Sequence, residues 1–260
     1  MPDLLKLRDK LKACDLADDS CRYIAQMWNY TLEMHERQTS CADEFCDAIP
    51  YVPFEPESYG LDLGKDSTVL DLGCLGGYGL YDFAHHRIES GSQLPDLIGV
   101  DRNIRSVEMG RDLAECWGDC ANVTFKQMDS AYLGFAPESI DLVVARLLLP
   151  YVSVSKTLSE IARVLKNKGI VLFQIHSFKY YRDFCLSSIA DPGRCLYYAR
   201  ALLSGMAFVI THHQPQHRWF REIAMGRSTL IKLCRKHGMV PIWEGGFRRK
   251  PMVAFRISKT

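Results

Sequence analysis

Between Thr68 and Ile175 short apolar runs rich in β-branched residues alternate with longer stretches of helical periodicity, and nothing else in the sequence constrains the fold as strongly. The runs are Thr68–Leu72 (TVLDL), Leu97–Val100 (LIGV), Val123–Lys126 (VTFK), Ile140–Ala145 (IDLVVA) and Ile170–Ile175 (IVLFQI). Between them, residues 78–89 and the series Val107, Gly110, Ala114, Trp117 predict helices. So does the series Leu158, Ile161, Ala162, Leu165, closed by a turn at Asn167-Lys168-Gly169. Alternation of this kind predicts parallel βαβ units. The run IDLVVA is continuous enough in apolar residues to predict a strand covered on both faces.

The regularity stops after His176. Residues 177–223 are rich in aromatics and contain a helix start at Asp191-Pro192-Gly193, followed by an apolar face of Cys195, Tyr198, Leu202 and Met206. A helix over 227–237 is expected next. Two strands, Met239–Trp243 and Met252–Ile257, joined through Gly245–Gly246, then give an antiparallel ending. At the other end residues 3–47 read as helical, with Leu4, Leu7 and Leu11 on one face and Ile24, Met27, Trp28 and Thr31 on another. Three prolines and two glycines within 49–64 mark a loop. The expected fold class is therefore α/β: a doubly wound, mostly parallel seven-stranded sheet with an antiparallel final strand, plus N-terminal helices and a helical insert before the last two strands. The expected organisation is a helical cap and linker over 1–64 and a main domain over 65–260, with a lid at about 177–223.

In open α/β sheets ligands bind beyond the carboxyl ends of the strands. Three segments fall at such ends. The first run leads into Gly73-Cys74-Leu75-Gly76-Gly77, whose small residues let a backbone approach a ligand, with the N–H groups of the next helix behind them. The second run ends at Asp101, where a carboxylate can accept from both hydroxyls of a ribose. The third is followed by Met128-Asp129-Ser130, where an aspartate can accept from an adenine amino group and a methionine can pack on the ring. Together they point to an adenosine cofactor. The dinucleotide fingerprint does not fit, because Asp82 stands where its third glycine belongs after Gly77 and Gly79.

In these segments the chain resembles the class I S-adenosylmethionine-dependent methyltransferases, Rossmann-like proteins of the type 11/25 kind. VLDLGCLGG is similar to the family's glycine motif, IGVDRN to its ribose-binding acidic loop, FKQMDSAYLGFAPESIDLVVA to its adenine loop and fourth strand, and LSEIARVLKNKGIVLF to the helix and fifth strand, with Asn-Lys in place of the usual Pro-Gly. The resemblance implies S-adenosyl-L-methionine as cofactor. It implies that Gly73, Leu75 and Gly77 line the methionine portion, that Asp101 holds the ribose and that Met128, Asp129 and Ser130 surround the adenine, with Arg146 beside the cofactor. Asp71, Cys74 and Arg102, within the same motifs, complete the implied set. Leu75 departs from the family, which usually has glycine there. If the backbone at this position needs a positive φ, leucine costs about 1–2 kcal/mol.

Methyl transfer needs chiefly alignment of nucleophile, methyl and sulfur. A base helps only where the nucleophile must lose a proton. His176, after the fifth run, is the first candidate base and Tyr151, after the fourth, the second. His212, His213 and His217 stand in the insert, without carboxylate or cysteine companions at metal-ligand spacing, and no metal is expected. The ten cysteines contain no CxxC pair and read as reduced thiols, which fits a cytoplasmic protein.

Net charge is +1, but residues 1–66 hold 7 Lys/Arg against 14 Asp/Glu, whereas residues 176–260 hold 15 against 4. The basic end suits an anionic substrate, a phospholipid surface or RNA. No apolar run is long enough to span a membrane. NPPY and DPPY are absent, and although HRWFREIAMGR interleaves basic and aromatic residues, a nucleic-acid acceptor is disfavoured. The tyrosines and arginines of the insert suit a flat or glycosidic acceptor with negative charge, and HSFKYYRDF is faintly similar to bacterial methyltransferases of saccharide and natural-product pathways. The expected activity is SN2 methyl transfer to an oxygen of a small anionic, sugar-like or natural-product metabolite, by a monomer or homodimer. The alternatives are a non-catalytic cofactor-binding protein or partner subunit, and an RNA methyltransferase.

Overall fold

A computed structural model describes residues 4–15, 19–37, 55–117, 122–211, 214, 222–246 and 249–259. Its strands are β1 Thr68–Leu72, β2 Asp96–Asp101, β3 Val123–Gln127, β4 Ile140–Arg146, β5 Leu165–Gln174, β6 Met239–Gly246 and β7 Pro251–Ile257. They form one sheet in the order β3-β2-β1-β4-β5-β7-β6. β1, β2 and β3 pair in parallel, and β7 runs antiparallel to both β5 and β6. The mostly parallel seven-stranded sheet with an antiparallel final strand is thus the one the sequence predicts. The helices are α1 Leu4–Asp15, α2 Asp19–Arg37, α3 Tyr78–Glu89, α4 Ile104–Ala114, α5 Val154–Val164, α6 Phe178–Ser187, α7 Pro192–Thr211 and α8 Arg227–Arg235.

The chain divides into two compact units, one of Met1–Ser130 with Ile140–Val143, the other of Ala131–Ser139 with Val144–Thr260. In the first, Leu7 and Leu11 of α1 and Ile24, Trp28 and Leu32 of α2 are buried, so the N-terminal helices contribute core. Trp28 packs on Tyr81 of α3 and on Trp117, with ring centroids 5.2 and 5.9 Å away. The strand register brings Leu72 opposite Val100 and Asp101 opposite Gln127. The loops that follow β1, β2 and β3 therefore leave the sheet side by side.

β4 has the two-sided burial that its nearly continuous apolar run implies, and β5, in the second unit, is buried from Gly169 to Gln174. Asn167-Lys168-Gly169 does not precede β5 but lies inside it, with Lys168 at a φ of 67°. Gly245 and Gly246 likewise belong to β6. The insert forms α6 and α7, and Pro192 sits at the first position of α7, where its missing N–H costs nothing. The buried face of α7 differs from the expected one. Ala201, Ser204, Gly205 and Phe208 are buried, Tyr198 and Leu202 are half-buried, and Met206 is 47% exposed. The cause is close approach: a Cβ on Gly205 would stand 2.4 Å from the carbonyl oxygen of Ala224. Small residues mark the contact, and a hydropathy pattern does not register them.

Candidate active site

The loop after β1 is built from left-handed backbone. Gly73 has a φ of 74°, and Leu75, Gly76 and Gly77 follow at 45°, 77° and 87°. Leu75 therefore occupies the conformation that glycine adopts most readily and an L-residue adopts at a cost of about 1–2 kcal/mol. Four hydrogen bonds hold the loop there. The N–H groups of Gly73 and Cys74 both donate to the Val100 carbonyl, at 2.8 and 3.1 Å. The N–H of Leu75 donates to Oδ2 of Asp101 at 3.2 Å. Trp28 Nε1 donates to the Gly76 carbonyl at 3.1 Å, so α2 supports the loop directly. Gly77 also has no room for a side chain, since a Cβ there would lie 2.4 Å from the Phe125 ring. Gly77 is the N-cap of α3 and provides no side-chain cap, which leaves the first-turn N–H groups of that helix for another acceptor.

Asp101 ends β2. One carboxylate oxygen takes the Leu75 N–H and the other the Asn103 N–H at 2.9 Å, and a carboxylate with two bonds retains capacity for two more. Asp71 is buried in β1, and Arg102 is exposed beyond β2. The Cys74 thiol is buried, and burial first, then the charges of Asp71 and Asp101, push it well above the ordinary thiol value. It is accordingly a packing group and no nucleophile at neutral pH. Met128 is half-buried and its N–H donates to the Asp101 carbonyl at 3.1 Å, while Asp129 is exposed and Ser130 buried. The first unit thus gathers the predicted loops around Asp101. Arg146 belongs to the second unit, at the end of β4, and is followed by a second left-handed leucine, Leu147, at a φ of 53°. Strained residues of this kind cluster at functional sites.

The second unit assembles its own cluster, and its centre, Glu222, is absent from the sequence reading. The Glu222 carboxylate accepts hydrogen bonds from the hydroxyls of Tyr181 at 2.5 Å, Tyr151 at 2.8 Å and Tyr197. His176 Nδ1 lies 3.2 Å from the Tyr181 oxygen and 3.9 Å from Glu222. The imidazole stacks on Tyr180 at 3.9 Å, with the rings 4° from parallel. Glu222 is placed by the stretch after it, where the Met225 N–H donates to the His176 carbonyl and the Ala224 N–H to that of Ala201. Burial would raise the Glu222 carboxyl, but the bonds from His176 and the tyrosines outweigh it and hold the group below the ordinary range. Burial first, and then the charge of Glu222, pushes the phenols of Tyr151, Tyr181 and Tyr197 far up. At neutral pH the cluster is one carboxylate and three intact phenols.

This fixes the tautomer of His176. Tyr181 has one hydroxyl proton, and it goes to Glu222. The Nδ1 of His176 must then donate to the Tyr181 oxygen, and Nε2 is the basic nitrogen of the ring. Beside this, the Gln174 side-chain oxygen, 1% exposed at the end of β5, accepts no hydrogen bond from the described residues. The one signal for Glu222 in the sequence is its place as an acidic residue in a strongly basic segment. His212, His213 and His217 lie outside the described residues.

A methyltransferase-domain family model matches residues 63–244. The chain belongs to that family. It is a class I, S-adenosylmethionine-dependent methyltransferase, and S-adenosyl-L-methionine is its cofactor. No curated protein matches it. Among solved structures it is similar to a SAM-dependent methyltransferase of Methanosarcina mazei, with 16% identity and a TM-score of 0.56 over 80% of this chain and 100% of that one. It is similar at 15% identity and a TM-score of 0.57, over 94% and 100%, to a chain from the complex between the Haloferax volcanii Trm112 methyltransferase activator and a methyltransferase. The geranyl diphosphate C-methyltransferase of Streptomyces coelicolor follows at 14% and 0.53, over 75% and 74%. At these identities the likeness is one of fold. The loop geometry of this methyltransferase fits its cofactor: a left-handed, glycine-rich turn after β1, an uncapped helix start, and a carboxylate with spare acceptor capacity.

Proposed function

We propose that the protein methylates a hydroxyl oxygen of a small anionic or sugar-like metabolite. Bound S-adenosylmethionine supplies an electrophilic methyl on a sulfonium, and the chain's residues position the partners and take up a proton. In this reading the backbone of Gly73, Leu75 and Gly77, with Asp71 and Cys74 behind it, holds the methionine portion. Asp101 holds the ribose beside Arg102, Met128, Asp129 and Ser130 surround the adenine, and Arg146 completes the set.

The observation that carries the oxygen assignment is the His176–Tyr181–Glu222 chain. Nε2 of His176 takes the acceptor's proton as the oxygen attacks the methyl carbon. The carboxylate stabilises the resulting imidazolium through Tyr181, the same division of labour as in other carboxylate-supported histidine bases. Tyr151 is a donor that holds Glu222 in place, since its phenol stays protonated. Tyr180, Tyr197 and Tyr198 suit a flat or glycosidic acceptor, and the 15 Lys/Arg against 4 Asp/Glu of residues 176–260 suit an anionic one.

The test is transfer of labelled methyl from S-adenosylmethionine into fractionated cell extract. Label in the small-molecule fraction is the expected result, and label confined to RNA or no transfer at all contradicts the reading. With the acceptor in hand, His176→Ala is expected to lower kcat by about 10²–10⁴ while leaving S-adenosylhomocysteine affinity unchanged. Wild-type turnover by that variant would rule out the base.

A further inference from the structure

Two thiols face each other where α6 turns into α7. Cys185 lies in the last turn of α6 and Cys195 in the first turn of α7, with residues 186–194 between them. Their Sγ atoms are 3.5 Å apart, and Cys185 Sγ is also 3.5 Å from the Cys195 carbonyl oxygen. A sulfur in contact with both the facing sulfur and the facing backbone has that backbone within side-chain reach. A bond of about 2.05 Å between them then needs side-chain rotation and a small approach of the helices, without refolding. Both thiols are half-buried, and Leu186 and Ile189 nearby are 60% and 68% exposed, so a small oxidant reaches the pair. Cys74, Cys116 and Cys234, by contrast, are enclosed in the core.

The pair stands at the end of an aromatic layer between the two helices. Cys185 follows Tyr181 by four residues, and Tyr198 follows Cys195 by three, so each thiol shares a helix face with one of these rings. The ring centroids of Tyr181 and Tyr198 are 6.5 Å apart, and those of Phe184 and Tyr198 are 5.4 Å apart. The same two helices supply two of the hydroxyls on Glu222, Tyr181 from α6 and Tyr197 from α7. A covalent link between Cys185 and Cys195 therefore fixes together the helices that meet on that carboxylate.

We infer that Cys185 and Cys195 are a reversible oxidation site, converted by hydrogen peroxide into a disulfide that clamps the α6–α7 hairpin. One sulfur attacks a peroxide oxygen. The O–O bond breaks, a sulfenic acid forms, and the other oxygen leaves as water with the thiol proton. The second sulfur then displaces the sulfenic hydroxyl, which leaves as water with the second thiol proton. The two sulfurs together lose the two electrons that the peroxide gains. A dithiol reductant restores both thiols by exchange. This site is independent of the acceptor and the base proposed above.

The test treats the reduced full chain with a small excess of hydrogen peroxide, alkylates the remaining thiols and cuts with trypsin. Cleavage after Arg182, Arg194 and Arg200 puts the two thiols in separate peptides, 183–194 and 195–200. The expected product is these two peptides joined, lighter than their sum by two hydrogen atoms and separated again by dithiothreitol. The thermal midpoint of the oxidised chain is expected to rise by a few degrees and to return on reduction. Cys185→Ser and Cys195→Ala, made separately, are expected to keep the midpoint of the reduced wild type, which shows that they fold. Both should lose the joined peptide and the shift. Two alkylated peptides, after a treatment that fully oxidises free glutathione, overturn the inference. So does either thiol joined to another cysteine or carried on to sulfinic acid. A joined peptide with an unchanged midpoint overturns the clamp.

Discussion

Leu75 is where local preference and fold disagree most openly. Its φ of 45° is set by a loop whose neighbours are tied to Val100, Asp101 and Trp28, and the side chain tolerates the conformation because its surroundings determine it. Leu75→Gly relieves the strain, loses some half-buried contact and frees the unfolded chain. The expected net is a stabilisation of up to about 1 kcal/mol in urea unfolding, with cofactor affinity kept. A loss of stability would show that the leucine side chain, and not the backbone, governs the position. Gly77 is the opposite case. An alanine there meets both the left-handed φ and the Phe125 ring, and Gly77→Ala is expected to cost roughly 2–4 kcal/mol in the same measurement.

At the scale of elements, α2 supports the glycine loop after β1 as directly as β1 does. Trp28 is buried, and its indole N–H closes the Gly76 carbonyl. Trp28→Phe keeps most of the packing and leaves that carbonyl without its donor, which is expected to cost about 1–3 kcal/mol and to weaken S-adenosylhomocysteine binding. Unchanged affinity would confine the contact to stability. The strands and α3 were legible because their signals are contiguous: β1 and α3 fall on the expected residues, and β2, β3 and β4 differ by one residue at their ends. The inner face of α7 was not, since it is marked by Ala201, Ser204 and Gly205, whose role is to be small. The β5 boundary was missed because Asn167-Lys168-Gly169 carries turn chemistry inside a strand.

For the molecule as a whole, the Asp101 loops and the Glu222 cluster differ in legibility for one reason. The loops around Asp101 follow directly from strand ends, so sequence order reports them. The Glu222 cluster draws on the turn after β4, the end of β5, α6, α7 and the segment before α8, and only the fold brings these together. The charge distribution adds a pH dependence. Glu222 and Asp183 are both held below their ordinary values, Glu222 by bonds that outweigh burial and Asp183 first by Lys179 and Arg182. A carboxylate held low contributes stability that is complete above the ordinary value and is lost as pH falls through the lowered one. Urea unfolding is therefore expected to show a plateau above about pH 5 and a decline below it, with a shallower decline in Asp183→Asn.

The most direct test of the account is calorimetric titration of S-adenosylhomocysteine into the purified protein and into Asp101→Ala. The carboxylate both accepts the Leu75 N–H and is assigned the ribose hydroxyls, so its loss is expected to weaken binding by about a hundredfold or more. Micromolar binding by the wild type, lost in the variant, is the predicted result. Equal affinity in the two proteins would contradict the placement of the cofactor at Asp101, and no binding by the wild type would mean that the strained Leu75 loop does not serve as a cofactor site.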